Sequence, residues 1–190
     1  MNLNYNSYEK EQYKDKEEFI NKLKNVIYKE KKKRGYLELV FLCIGTDRMI
    51  GDCFGPLVGT KLEETFIDYN IFNINIYGTL ENNVSYTNIK DIIKNIEKKH
   101  KNPYIIAIDA ALSNQENVGK IFLSEEKIIL GKGLNKKKIE IGDISIKAVV
   151  GKNYKMTNYN FYVLQNTSLN MVIKLANTVA DGITEVIKYA

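Results

Sequence analysis

Residues 39–56 read Leu39-Val40-Phe41-Leu42-Cys43-Ile44-Gly45-Thr46-Asp47-Arg48-Met49-Ile50-Gly51-Asp52-Cys53-Phe54-Gly55-Pro56. An unbroken apolar run of strand length breaks at Gly45 into a polar loop, which leads to a Gly-Pro pair suited to the first turn of a helix. The stretch is therefore a strand, a loop and a helix. Ligands of open α/β sheets bind outside the carboxyl ends of the strands, so a loop carrying Asp47, Arg48 and Asp52 is a candidate site.

The pattern repeats on both sides of this unit. Upstream, Phe19, Leu23, Val26 and Ile27 recur at helical spacing among lysines and glutamates, which predicts an amphipathic helix ending near Gly35. The first strand is placed at 37–44. Downstream, Val58, Leu62 and Phe66 form the stripe of a second helix, with Lys61, Glu63 and Glu64 facing water. A short second strand over 73–77 is followed by the loop Gly78-Thr79-Leu80-Glu81-Asn82-Asn83. A third helix starts near Ser85 or Thr87 and buries Ile89, Ile92, Ile93 and Ile96. The run Tyr104-Ile105-Ile106-Ala107-Ile108 has the character of a parallel strand covered on both faces, and it ends in Asp109.

Strands are also expected at 120–123 and 143–150, separated by a Gly- and Lys-rich loop at 131–138. A loop over 151–160 leads to a last helix capped by Asn166 or Thr167, whose apolar face is Leu169, Val172, Ile173, Ala176, Val179, Ala180, Ile183 and Ile187. Strands alternating with helices define an α/β layer sandwich. With 190 residues, 44% of them hydrophobic, the chain can bury a full core as one domain, 1–190, made of a helical flank over 1–35 and a core over 37–190.

The charge balance is +5, from 28 basic and 23 acidic residues, with basic runs at 29–34 and 136–138. No aromatic-interleaved basic motif accompanies them, so they read as solvated surface and not as a nucleic-acid site. Residues 2–18 lack the apolar core of a signal peptide, and no apolar stretch approaches the roughly 20 residues of a membrane span. Cys43 and Cys53 do not form a Cys-x-x-Cys pattern. The expectation is a reduced, cytoplasmic protein without a membrane partner.

His100, the sole histidine, falls at a helix end before the third strand, at the amino edge of the sheet and away from the loops after strands one and three. That placement removes Ser-His-Asp and Cys-His catalysis and histidine-based zinc sites. Cys53, next to Asp52, has no evident base. The glycines at 45, 51 and 55 match neither a Walker loop nor Gly-x-Gly-x-x-Gly, which argues against nucleotide chemistry.

A pair of carboxylates remains. If strands one and three are neighbours, about 4.8 Å apart, Asp52 and Asp109 reach one point above the sheet. Two such groups do not both ionise easily, so they can share a proton and act as acid and base on a water and a carbonyl. The same geometry could hold a divalent cation, completed by water and carbonyl oxygens. The alternatives are a helix cap for Asp52 and loop anchoring for Asp109.

The stretch 43–62, with Tyr77-Gly78-Thr79-Leu80, Ile108-Asp109-Ala110 and Phe161-Tyr162-Val163-Leu164-Gln165-Asn166-Thr167, closely resembles the YyaC-type sporulation proteins of spore-forming Firmicutes. The resemblance runs from about Leu39 to the carboxyl terminus and leaves out the first helix. That family is similar to the spore germination protease and to the hydrogenase maturation endopeptidases. The resemblance implies a phosphorylase/hydrolase-like three-layer fold with a mixed five-stranded sheet of order 2-1-3-5-4, strand four antiparallel and helices on both faces.

It also implies an aspartic-type peptidase with Asp52 and Asp109 as the catalytic pair. Thr46, Asp47, Arg48 and Thr79 would line the cleft, and the substrate would be a protein or peptide, spore proteins among them, in the cytoplasm or forespore. The hydrogenase peptidases add a histidine to form a three-ligand metal site. The carboxyl third of this chain has no histidine, so no metal or other cofactor is assigned. The rival reading is a catalytically inactive peptide- or ligand-binding protein on the same fold with a role in sporulation.

Overall fold

A computed structural model describes residues 5–35, 38–68, 74–130 and 138–188, with side chains from Lys16 onward. Seven strands and five α-helices follow in the order α1 (Tyr5–Arg34), β1 (Leu39–Cys43), α2 (Phe54–Asp68), β2 (Ile74–Tyr77), α3 (Ile89–Lys99), β3 (Tyr104–Ser113), β4 (Ile121–Ser124), β5 (Ile128–Leu130), β6 (Ile139–Ile141), β7 (Ile144–Lys152), α4 (Thr157–Gln165) and α5 (Leu169–Lys188). The main sheet has the order β2-β1-β3-β7-β4. All its pairings are parallel except β4 with β7. With β5 and β6 set aside as a separate hairpin, this is the expected 2-1-3-5-4 sheet.

Alternation along the strands divides the core into two layers. Leu39, Phe41 and Cys43 of β1, Ile106 and Ile108 of β3, and Ile144, Ile146, Ala148 and Val150 of β7 face α1, α2 and α5. Val40, Leu42, Ile44 and Ala107 face α3 and the hairpin, where they meet Ile89, Ile96, Ile128 and Ile141. The amphipathic readings of α1 and α2 match these faces: Phe19, Leu23 and Ile27 are buried, as are Val58, Leu62 and Phe66. Helix α1 is thus part of the main core, packed on α5 and β4. At its carboxyl end Arg34 donates to Glu30 at 2.6 Å and to the Asn102 carbonyl at 2.9 Å, and it lies over the Tyr104 ring.

Several local expectations are corrected. Strand β3 does not end at Asp109 but continues to Ser113, because β7 extends beside it as far as Lys152. Residues 157–165, the first four of them expected as loop, form α4. Periodicity hid this helix because it buries no residue fully and turns aromatic side chains to solvent. The sequence pattern does not show the hairpin β5–β6, since each strand has three residues; the Gly- and Lys-rich loop expected at 131–138 lies, except for Lys138, outside the described residues. At the start of α3 the N-cap position is Asn88, whose Oδ1 accepts the Ser85 N–H at 2.8 Å. At the start of α5 the Ser168 hydroxyl accepts the Met171 N–H, while Thr167 donates to Val163 O at 2.8 Å. In α5 Val172, Ala176, Val179, Ala180 and Ile183 of the expected apolar face are buried, but Leu169 and Ile173 are exposed.

Candidate active site

At the carboxyl edge of the sheet β1 and β3 part. The Ile44 N–H donates to Ile108 O at 2.7 Å, but the next amide, Gly45, donates to Val84 O, on the β2 side. The chain then folds back. The Thr46 N–H reaches Asp52 O at 3.1 Å, and the Asp52 and Cys53 amides donate to Met49 O. Gly45 has φ of 144°, a region in which L side chains are strained, and a Cβ there would collide with the Asp52 carbonyl. A 3-10 turn, Gly51–Cys53, therefore carries Asp52 directly into α2. Its other side is pressed against Leu164 and Thr167 at the junction of α4 and α5, where a Cβ on Gly51 would stand 2.9 Å from Leu164 Cδ2. The Phe161–Thr167 motif acts here as a buttress.

Asp109 stands one residue beyond the last β1 pairing, Cys43 with Ile108. Asp52 and Asp109 are each only partly exposed as residues. Burial raises Asp52 to about 6, opposed by a backbone hydrogen bond from Thr46. Burial also raises Asp109, to about 8, and the charge of Asp52 raises it further, while the Ala110 amide and Lys147 oppose the rise. The fold thus brings the two carboxylates within electrostatic reach of each other, and at neutral pH the pair holds one proton. Lys147 is the cross-strand partner of Asp109 on β7 and shares its face. No sequence signal pointed to it, because the register of β3 against β7 is set by tertiary packing.

The remaining residues fall in two groups. Thr46 donates to Asp47 Oδ1 at 3.4 Å and accepts the Arg48 amide, which leaves Asp47 and Arg48 exposed at the loop tip. Thr79 is buried, and its hydroxyl accepts the Asn82 N–H at 3.0 Å, so it shapes the neighbouring loop. Cys53 is buried and donates to Ile50 O at 2.9 Å. Its thiol is pushed up, chiefly by burial, which disfavours the nucleophilic thiolate. His100 lies at the opposite edge, its Nδ1 2.7 Å from Glu38 Oε1 and its Nε2 2.8 Å from the Tyr77 hydroxyl.

Among the described residues no three His, Cys, Asp or Glu side chains cluster in a way that could hold a metal. A three-ligand site completed by histidine does not fit this chain, since His100 is engaged at the far edge. No described helix is long and apolar enough to cross a membrane.

A mixed five-stranded α/β sandwich of this kind is similar to the fold of the hydrogenase maturation proteases. The [NiFe] hydrogenase maturation protease HycI of Thermococcus kodakarensis KOD1 superposes with a TM-score of 0.52 at 17% identity, over 80% of this chain and 92% of that one. The [NiFe] hydrogenase maturation protease HybD of Thermococcus kodakarensis gives a TM-score of 0.40 at 13% identity, over 77% of this chain and 99% of that one. The chain belongs to the family described as protein of unknown function (DUF1256), whose pattern spans residues 8–182 and so takes in most of α1. It is 40% identical over 146 residues to the uncharacterized protein YyaC of Bacillus subtilis (strain 168), covering 77% of this chain and 68% of that protein.

Proposed function

We propose that the chain is a peptidase in which Asp52 and Asp109 activate water for peptide-bond hydrolysis. The observation that carries this reading is the carboxylate pair itself: two half-buried acids at the parting of β1 and β3, each raised by burial and the second raised further by the first. Asp52, the more acidic, is the general base that takes a proton from water. Asp109 holds its proton at neutral pH and gives it to the carbonyl oxygen as the tetrahedral intermediate forms. Collapse of that intermediate returns a proton to the leaving amine and restores the pair. Lys147 favours the ionised form of Asp109 once the proton has left. Spore proteins are the substrates that the family resemblance suggests, with Asp47 and Arg48 at the rim to contact them.

The test is cleavage of spore proteins and of a broad peptide library by the purified chain, beside Asp52→Asn and Asp109→Asn. Each variant should lose at least about a hundredfold in kcat, the scale of general acid–base catalysis, and a chelator should leave the wild type unchanged. Loss of activity on chelation would replace this mechanism with a metal-dependent one. A folded wild type that cleaves nothing would leave the binding-protein reading in its place.

A further inference from the structure

Beyond Ile108, β3 is paired with a strand on the β7 side alone among the described residues, while the 3-10 turn Gly51–Cys53 packs nearby against β3. Its residues Asp109–Ser113 pair with β7, while β1 has turned away at Gly45. The Ile108 carbonyl accepts from Ile44, so the main-chain groups of Ile108 face the β1 side, and by the two-residue period those of Ala110 and Leu112 do too. The register irregularity does not upset this. Ala111 pairs with Val149 and Leu112 with Gly151, which puts the extra residue, Val150, on β7. The Ala110 amide lies close enough to the Asp109 carboxylate to lower its pKa. The Ala110 C=O and the Leu112 N–H have no protein partner on that side among the described residues, and both residues are partly exposed. An acceptor and a donor two residues apart along one strand edge are what one residue of an added strand requires.

We propose that this lane, the continuation of β1 along the edge of β3, seats the substrate as an added strand, read by main-chain hydrogen bonds to Ala110 and Leu112. The inference rests on the peptidase reading and extends it to how the substrate binds. The occupant is an extended polypeptide, because a strand backbone with both its N–H and C=O groups free is what such an edge pairs with. Its charge is indicated by the flank. From Ile144 to Ala180 the chain has no Asp or Glu, while Lys147 lies beside Asp109 and Lys152 beside Ser113. Lys155 and the exposed Tyr154, Met156, Tyr159 and Tyr162 follow on the same stretch. Such a flank favours carboxylates and apolar side chains over basic ones.

Proline suits an edge strand where its missing N–H faces outward, so Leu112→Pro removes the proposed donor and leaves the β7 ladder in place. Leu112→Ala is the control, with the same loss of packing and the N–H retained. The probe is an acetylated, amidated decapeptide library, in an acidic and a basic half, with binding read by fluorescence anisotropy and hydrogen exchange. The expected results are slowed exchange of the Leu112 amide on adding the acidic library, about tenfold weaker binding by Leu112→Pro than by Leu112→Ala, and no binding of a fully N-methylated library.

Equal affinity of the two variants, binding without protection of the Leu112 amide, retained binding of the N-methylated library, or no binding of any library would each overturn the lane. Should Leu112→Pro fail to fold, the N-methylated library and the exchange measurement decide. Binding as expected without any cleavage would refute the peptidase reading and leave the lane standing.

Discussion

Replacing Asp109 by Asn should make the protein more stable, by an amount that grows with pH. Asp109 moves from an ordinary 3.8 to about 8 in the folded chain, so the native state holds a proton that the unfolded chain releases. The sign follows from linkage. The stability contributed by the raised group is fully present below about 4, falls as pH rises toward about 8, and is lost above that. At about 1.4 kcal/mol per pH unit, the ceiling on that loss is on the order of 5 kcal/mol. Asp109 is half-buried and water reaches part of it, so we expect about 2–3 kcal/mol after screening.

Asparagine has no proton to lose. Urea unfolding of wild type and Asp109→Asn at pH 4.5, 7 and 9 should therefore show near-equal stability at the lowest pH and a variant more stable by about 2–3 kcal/mol at the highest. In an Asp52→Asn background the gain should shrink, because the neighbouring charge that raises Asp109 is gone. A difference that stays flat from pH 4.5 to 9, or a variant less stable at pH 9, would refute the claim that Asp109 lies in a desolvated, like-charged site.

Turnover by the proposed pair should follow a bell between about 6 and about 8, needing Asp52 ionised and Asp109 protonated; a flat pH–rate profile would rule this assignment out. Lys147→Met should move the alkaline limb of that bell upward and Lys147→Arg should restore it, because the lysine lowers Asp109. Gly45→Ala should cost about 2–4 kcal/mol in thermal or urea unfolding, since its Cβ meets the Asp52 carbonyl in a backbone region that disfavours side chains. His100→Gln should lower stability by about 1–3 kcal/mol and leave kcat unchanged, because its bonds to Glu38 and Tyr77 lie at the opposite edge of the sheet.

The sequence by itself determined the main sheet and most of its cover. Apolar runs at 39–44 and 104–108 read as strands because each is short and continuous and is bounded by Gly45 or preceded by Pro103. The stripes of α1, α2 and α3 announce which sides are buried, since the 3.6-residue period leaves one side of each apolar. Asp52 and Asp109 could be singled out as candidates too, because a lone histidine and two acids near strand ends leave few catalytic options.

Only the tertiary structure decided the rest. Whether β3 stops or continues at Asp109 depends on how far β7 runs beside it, a long-range pairing that local pattern does not encode. The elevation of Asp52 and Asp109 arises from desolvation and mutual charge, which exist once β1, β3 and the 3-10 turn are brought together. Lys147 reaches the pair through sheet register, and the free edge at Ala110 and Leu112 exists because β1 turns off at Gly45 while its neighbour goes on.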